Sequence, residues 1–272
     1  MSSPSNNAVA DIGILANGHR PNDDGSTVNE PEIIITSRRD VYGSMAHGTD
    51  LCGNCCFGDI ADGSTTSPVL PPIVGLRISG VGNVPLPISD EHAGKIKSRI
   101  TNEEKGGKKI SSLYEIDASK IKLHNPQWGE SLKKLVETVA FKLGVNPSLL
   151  TAELDGLLCM EKGGYIERKN GDEDVMGCLL IQLPSKFSGG ELTIYNPAAE
   201  DDDQDEEESF KFTLGAGEEA AYSCHFACRF SDCEYEMAKL RSGSRVLLRY
   251  SLHYKQVGAK VMPTAGVVNE CR

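Results

Sequence analysis

Apolar positions recur along this chain with two different spacings, and the change from one to the other divides it. Trp128, Leu132, Leu135, Val136, Val139, Ala140 and Leu143 fall on one helical face, Gly144 supplies a stop, and Pro147 lies just beyond. That stripe predicts a helix over Trp128 to Leu143, packed on a sheet. From Ala152 the period becomes two: Ala152, Leu154, Gly156, Leu158 and Met160 point one way along a strand. Met176 to Leu183 reads as a continuous apolar strand. Gly189-Gly190 marks a turn, with Glu191 to Tyr195 as the partner strand. Phe210 to Leu214, Glu219 to Ser223 and Arg245 to Tyr254 complete the series.

Upstream, Pro71 to Ile78 alternates like a strand. Ser89-Asp90-Glu91 supplies a cap and acids for a helix with Ala93 to Ile100 as its body. Glu103 to Lys109 reads as a polar loop and Leu113 to Leu123 as another strand. Residues 1–66 are rich in Ser, Asn, Asp and Gly, and Ile33-Ile34-Ile35 is their one sustained apolar stretch. Such a composition does not offset ordering entropy, so a mostly disordered tail is expected there. The folded domain is expected over 67–256, with a C-terminal tail over 257–272. Many short strands behind a helical start predict a mainly β fold with flanking helices (α+β), a double-stranded β-helix or jelly roll of cupin-like form. Glu200 to Glu208 is acidic except for Gln204, and an acidic loop over 197–209 is expected as a solvated hairpin insertion.

Charge and cysteine usage narrow the partners. A net charge of −11 over 272 residues disfavours nucleic acid, whose recognition needs clustered Lys and Arg. No run approaches the roughly 18 apolar residues of a membrane span. Met1 to Asn7 lacks the form of a secretory signal. Nine cysteines, an odd number, then read as reduced thiols in a cytoplasmic or nuclear protein rather than a secreted one. His47, Cys52, Cys55 and Cys56 lack the second cysteine pair of a structural zinc site. In the group Cys224, His225, Cys228 and Cys233, strand alternation separates Cys233 from Cys224 and Cys228. Neither group is expected to hold zinc.

Three segments carry the chemistry. One is Met160-Glu161-Lys162-Gly163-Gly164-Tyr165-Ile166-Glu167-Arg168-Lys169-Asn170-Gly171-Asp172. The second is Leu183-Pro184-Ser185-Lys186-Phe187-Ser188-Gly189-Gly190-Glu191-Leu192. The third is Phe230-Ser231-Asp232-Cys233-Glu234-Tyr235-Glu236-Met237, followed ten residues past Tyr235 by Arg245 in a Ser-Gly-x-Arg motif. Over roughly residues 74–254 the chain resembles the iron(II)/2-oxoglutarate dioxygenases of the prolyl 4-hydroxylase-like type. The resemblance implies a jelly-roll oxidoreductase that hydroxylates a peptide or protein side chain while 2-oxoglutarate is decarboxylated to succinate. It implies Fe(II) held by His-x-Asp and a second His, and 2-oxoglutarate held through its distal carboxylate by Arg245, whose forked donors suit that contact.

Set on that pattern, Lys169 stands at the first histidine, Gly171 at the acid and Tyr235 at the second histidine. Met160 replaces an aromatic residue. Asp172 or Asp174 could slide into the acid position and His225 could lend an imidazole, but no histidine lies between His124 and His225. Lys169 would then serve as a second cationic contact for the cosubstrate. Two readings follow: a dioxygenase with Fe(II) and 2-oxoglutarate, or a catalytically inactive jelly-roll module (a pseudoenzyme) that binds a protein or an acidic metabolite. A third reading is an interaction domain that works through the acidic loop. For Arg245 a bound dicarboxylate and an ion pair with Glu219 or Asp232 remain alternatives.

Overall fold

The computed structural model describes residues 54–63, 68–103, 112–197, 208–255 and 263–265, all within the unit 35–272. Fourteen strands and two α-helices follow one another along these residues. β1 (Cys56–Ile60), β2 (Leu76–Ile78) and β3 (Gly82–Asn83) precede helix α1 (Asp90–Glu103). β4 (Leu113–Asp117) and β5 (Ile121–Leu123) precede helix α2 (Trp128–Lys142). Then come β6 (Leu150–Glu161), β7 (Ile166–Lys169), β8 (Gly177–Gln182), β9 (Phe187–Gly189), β10 (Leu192–Tyr195), β11 (Ser209–Phe212), β12 (His225–Phe230), β13 (Tyr235–Met237) and β14 (Leu240–Tyr254).

Two antiparallel sheets form the body. The larger has the order β1-β12-β8-β14-β6-β4, with β9 also paired to β14, and the smaller has the order β11-β10-β13-β7. A small third sheet, β3-β2-β5, stands apart. Cross-strand partners share a face, so the pairing registers sort the side chains. On one face of the large sheet lie Phe226, Cys228, Phe230, Leu179, Ile181, Val246, Leu248, Tyr250, Leu157 and Cys159. All are buried. Helix α2 covers this outer face: the Trp128 indole donates to Tyr250 Oη at 3.0 Å, and the Lys142 ammonium lies 5.2 Å from the Phe57 ring centre.

The other face looks toward the small sheet, which turns Phe210, Phe212, Leu192, Ile194, Met237 and Tyr235 inward by register. Contact between the sheets is direct. Arg229 of β12 stacks on Tyr235 of β13, 4.0 Å from ring centre to guanidinium carbon, and the backbone at Gly58 presses on the Phe212 ring. The fold is thus the expected mainly β jelly roll, a double-stranded β-helix with helices outside.

Several boundaries differ from the sequence expectation. β1 pairs along its whole length with β12, so folded structure begins inside the segment expected as tail. Only five residues long, β1 carries no extended apolar pattern of its own and gains its place by completing a sheet edge. The expected hairpin of Met176–Leu183 with Glu191–Tyr195 does not form. β8 pairs with β12 and β14, while β10 belongs to the other sheet. The positive φ values of Gly189 and Gly190 carry the chain from one sheet to the other.

Glu219 to Ser223 holds a short 3-10 helix at Glu219–Ala221 instead of a strand. The stretch Leu113 to Leu123 is broken at Ala118–Lys120, where the Asp117 side chain caps a 3-10 turn through the Ser119 amide. Tyr195 pairs with Ser209, and the Asn196 amide donates to Glu208 O at 2.9 Å, so β10 and β11 are paired on either side of the acidic run. Residues 198–207 themselves, like most of 1–66 and 257–272 and including His47 and Cys52, lie outside the described residues.

Candidate functional site

Along the inner face of the large sheet run Arg229, His225, Cys178, Gln182, Ser251, Arg249 and Arg245. The strand registers set this polar row opposite the small sheet and divide it between two ends. At one end a cavity of about 290 Å³ is lined by Lys169, Asn170, Gly171, Asp172, Cys178, Arg229, Ser231, Tyr235, Asp155, Arg249 and Ser251, among others. Lys169 and Tyr235 are cross-strand partners of β7 and β13. The structure therefore brings together the three positions that the resemblance assigned to metal ligands, and Asp172 with them.

The floor of this cavity is Arg229, which sequence reasoning did not single out. It is buried, and its Nη1 donates to Phe230 O at 2.9 Å and to Cys233 O at 3.1 Å. Its Nε is buried without a partner. A Cβ built on Gly171 would lie 2.6 Å from Arg229 Nη1 and 2.4 Å from Ser231 O, so the guanidinium and the turn occupy the space a side chain at 171 would need. The Lys169 ammonium stands 5.7 Å from the centre of the same tyrosine ring. Among the described residues, neither cation is in an ion pair. Arg249, by contrast, is neutralised by Asp155 and by Glu115 at 3.5 Å. One sequence signal was available for Arg229: a lone permanent charge among the apolar residues Phe226, Ala227, Cys228 and Phe230.

These residues do not fit an iron ion. An ammonium, a glycine and a phenol stand where two imidazoles and a carboxylate would be needed, and a guanidinium lies against them. The proposed substitutes do not converge. Asp172 lines the cavity, but Asp174 does not; its amide instead donates to Asp172 Oδ1 at 3.1 Å. His225 is four residues from Arg229 along β12, roughly 13 Å at strand rise. Its Nε2 is buried without a partner, and the Gly215 backbone sits against the ring. Desolvation holds His225 below the usual histidine range, so the neutral imidazole is favoured. Among the described residues no group of three His, Cys, Asp or Glu side chains has the geometry for a metal.

Nucleophilic chemistry is no better supplied. Burial pushes the Cys178 thiol up, away from the reactive thiolate. What the cavity does offer is two cations outside any ion pair among the described residues, the Asp172 carboxylate at an exposed position, a π face and hydroxyls from Ser231 and Ser251.

Arg245 occupies the other end. It is wholly buried and does not line the cavity of Lys169 and Arg229. Its Nε donates to Gln182 Oε1 at 2.6 Å, its Nη1 donates to Gly190 O, and its guanidinium lies 4.9 Å from the Phe187 ring centre. Nη2 is buried without a partner. Met160, its cross-strand neighbour, brings no polar atom that donates. Among the described residues no carboxylate pairs with it, so the ion pair with Glu219 or Asp232 is not formed. Asp232 Oδ1 instead accepts from the Ala265 amide at 3.0 Å. Desolvation without an anion pushes Arg245 down to about 9. Two of its three nitrogens are committed to neutral oxygens, which leaves the Nη2 amino group for a ligand.

Among the described residues the seven cysteines form no disulfide, and Cys55 and Cys56, at the start of β1, are buried with their sulfurs 3.8 Å apart. No described helix is long and apolar enough to cross a membrane.

No family model matches the sequence, and no curated protein matches it. Among solved structures the chain is similar to an oxidoreductase of the 2OG-Fe(II) oxygenase family from Burkholderia pseudomallei, at 14% identity over 66% of this chain and 82% of that one, TM-score 0.35. It is similar to a prolyl-4-hydroxylase from Pseudomonas putida at 13% identity, over 81% of this chain and 100% of that one, TM-score 0.40. A third is the viral collagen prolyl hydroxylase of Paramecium Bursaria Chlorella virus-1, at 10% identity over 76% and 100%, TM-score 0.32. Likenesses at this level say what the chain is similar to; the fold stands on strand order and register, and the site on its own residues.

Proposed function

We propose that this protein is a catalytically inactive jelly-roll module that binds an acidic metabolite or an acidic group of a protein in the barrel, and does not carry out iron-dependent oxygenation. One observation carries the reading. A cation already stands where the metal's acid ligand would be needed: Arg229 stacks on Tyr235 and takes the space of a side chain at Gly171. A divalent cation beside a buried guanidinium and a lysine is opposed by Coulomb repulsion in a region of low dielectric. An anion there is attracted by the same charges.

The alternative, a 2-oxoglutarate-dependent prolyl hydroxylase-like dioxygenase, draws support from Arg245 and its unpartnered Nη2. It needs three metal donors that the residues present do not provide.

The deciding measurement is succinate formation from 2-oxoglutarate by the full chain after anaerobic reconstitution with ferrous ion. No iron-dependent succinate above a buffer control is expected, and no retained iron after desalting. Turnover abolished by Arg245→Ala would establish the dioxygenase reading instead.

A further inference from the structure

Resting on that reading, we infer that Arg229 and Lys169 form a carboxylate subsite, with Arg229 as the floor of the cavity and Lys169 at its rim. The argument begins with which donors are committed. Arg229 Nη1 is held by two backbone carbonyls, Phe230 O and Cys233 O, which fixes the plane of the guanidinium. The Tyr235 ring holds that plane from one side. The Nε edge remains, buried and without a partner in a side chain only 5% exposed. A buried N–H left unpaired costs about 1–3 kcal/mol, so a ligand oxygen there relieves a penalty the fold otherwise carries. A fixed planar fork suits a planar, two-oxygen anion.

Lys169 supplies the second charge. It is exposed, it shares the tyrosine ring with Arg229, and no described acid pairs with it. Of the acids nearby, Asp155 is occupied by Arg249, and Asp172 keeps its charge but is exposed, where water screens it, and is in no ion pair with Arg229 or Lys169 among the described residues. A cavity of about 290 Å³ admits a small carboxylic acid or one acidic side chain of a peptide. The ligand class is therefore a carboxylate anchored at its charged end.

The test is calorimetric titration of the full chain with succinate, and separately with inorganic phosphate at equal ionic strength. Succinate is expected to bind, and Lys169→Gln to weaken it about 10-fold, the loss of one charge-assisted contact. Arg229→Lys keeps the charge but removes the planar fork; a weakening of similar or larger size is expected, with a melting curve confirming the fold. Lys169→Gln, at an exposed position, carries the test if Arg229→Lys fails to fold.

Phosphate binding as tight as succinate would overturn the carboxylate assignment. Succinate binding unchanged by Lys169→Gln but lost in Arg245→Gln would move the ligand to the other end of the barrel and overturn the subsite. No binding of succinate at all would overturn it too, while the absence of oxygenase chemistry would still stand on the succinate-formation assay.

Discussion

The two faces of the large sheet are made from the same strands and do opposite things. The outer face, with Leu157, Leu179, Ile181, Phe226, Val246 and Leu248, is apolar and sealed by helix α2. The inner face carries two arginines with unpartnered nitrogens, a histidine with an unpartnered nitrogen and a glutamine. One face spends its burial on cohesion. The other holds these polar groups at a cost that no ion pair of their own offsets among the described residues, Arg249 alone being paired, with Asp155 and Glu115. A sheet that tolerates such an inner face depends on the outer one for its stability, which separates scaffold from site within single strands.

The largest expected effect is on the outer face. Leu248→Ala should destabilise by about 2–5 kcal/mol, read as a lowered denaturant midpoint. An inner-face change of equal cost would erase the contrast. Next, Gly171→Ala should cost about 1–3 kcal/mol by overpacking against Arg229 and Ser231. A neutral result would mean that the guanidinium moves aside readily and is not a fixed floor.

Titration sharpens the same comparison from both sides. His225 on the inner face has its proton affinity lowered by burial, so below the ordinary histidine range the unfolded chain binds a proton the folded chain refuses. Stability then falls as pH drops through that range, and His225→Asn should flatten the acid limb of a melting-temperature profile. Cys159 and Cys228 on the outer face are pushed up to about 12 from 9.0 by burial. Between those values the unfolded chain releases protons the folded chain keeps, so stability falls as pH rises. Cys228→Ala should lessen that alkaline loss.

The smallest effect belongs to the outside of the small sheet. There Arg168 pairs with Glu234 at 2.5 Å while both remain about two-fifths exposed. Glu234→Gln should change stability by less than about 1 kcal/mol.

How much of this was legible in the sequence follows from the same division. The helical stripe from Trp128 and the alternation from Ala152 report burial against a large apolar surface, and both elements form close to where expected. The apolar run to Leu183 is a central strand for the same reason. Pairing partners were not legible, because period-two alternation says which way a residue points and not which strand lies beside it. That is why the hairpin expected at Gly189-Gly190 turned out to be a crossover between sheets. β1 escaped notice because an edge strand of five residues needs little hydrophobicity of its own.

At the site, the resemblance set Lys169, Gly171 and Tyr235 at the ligand positions, and in the structure these three residues line one cavity. Spacing could not reveal Arg229, which reaches the cavity from β12 of the facing sheet. Nor could it reveal that Arg245 and the cavity occupy different ends of the barrel.

The contact between Gly171 and Arg229 also sets the order in which a metal site could be built here. Placing an acid at 171 alone meets an occupied volume, and trimming the arginine alone leaves a hollow without a metal's donor set. Histidines installed at 169 and 235 would still face a fixed positive charge. Engineering toward a metalloprotein would therefore have to begin at position 229, a strand away from every residue that sequence alignment would nominate for repair.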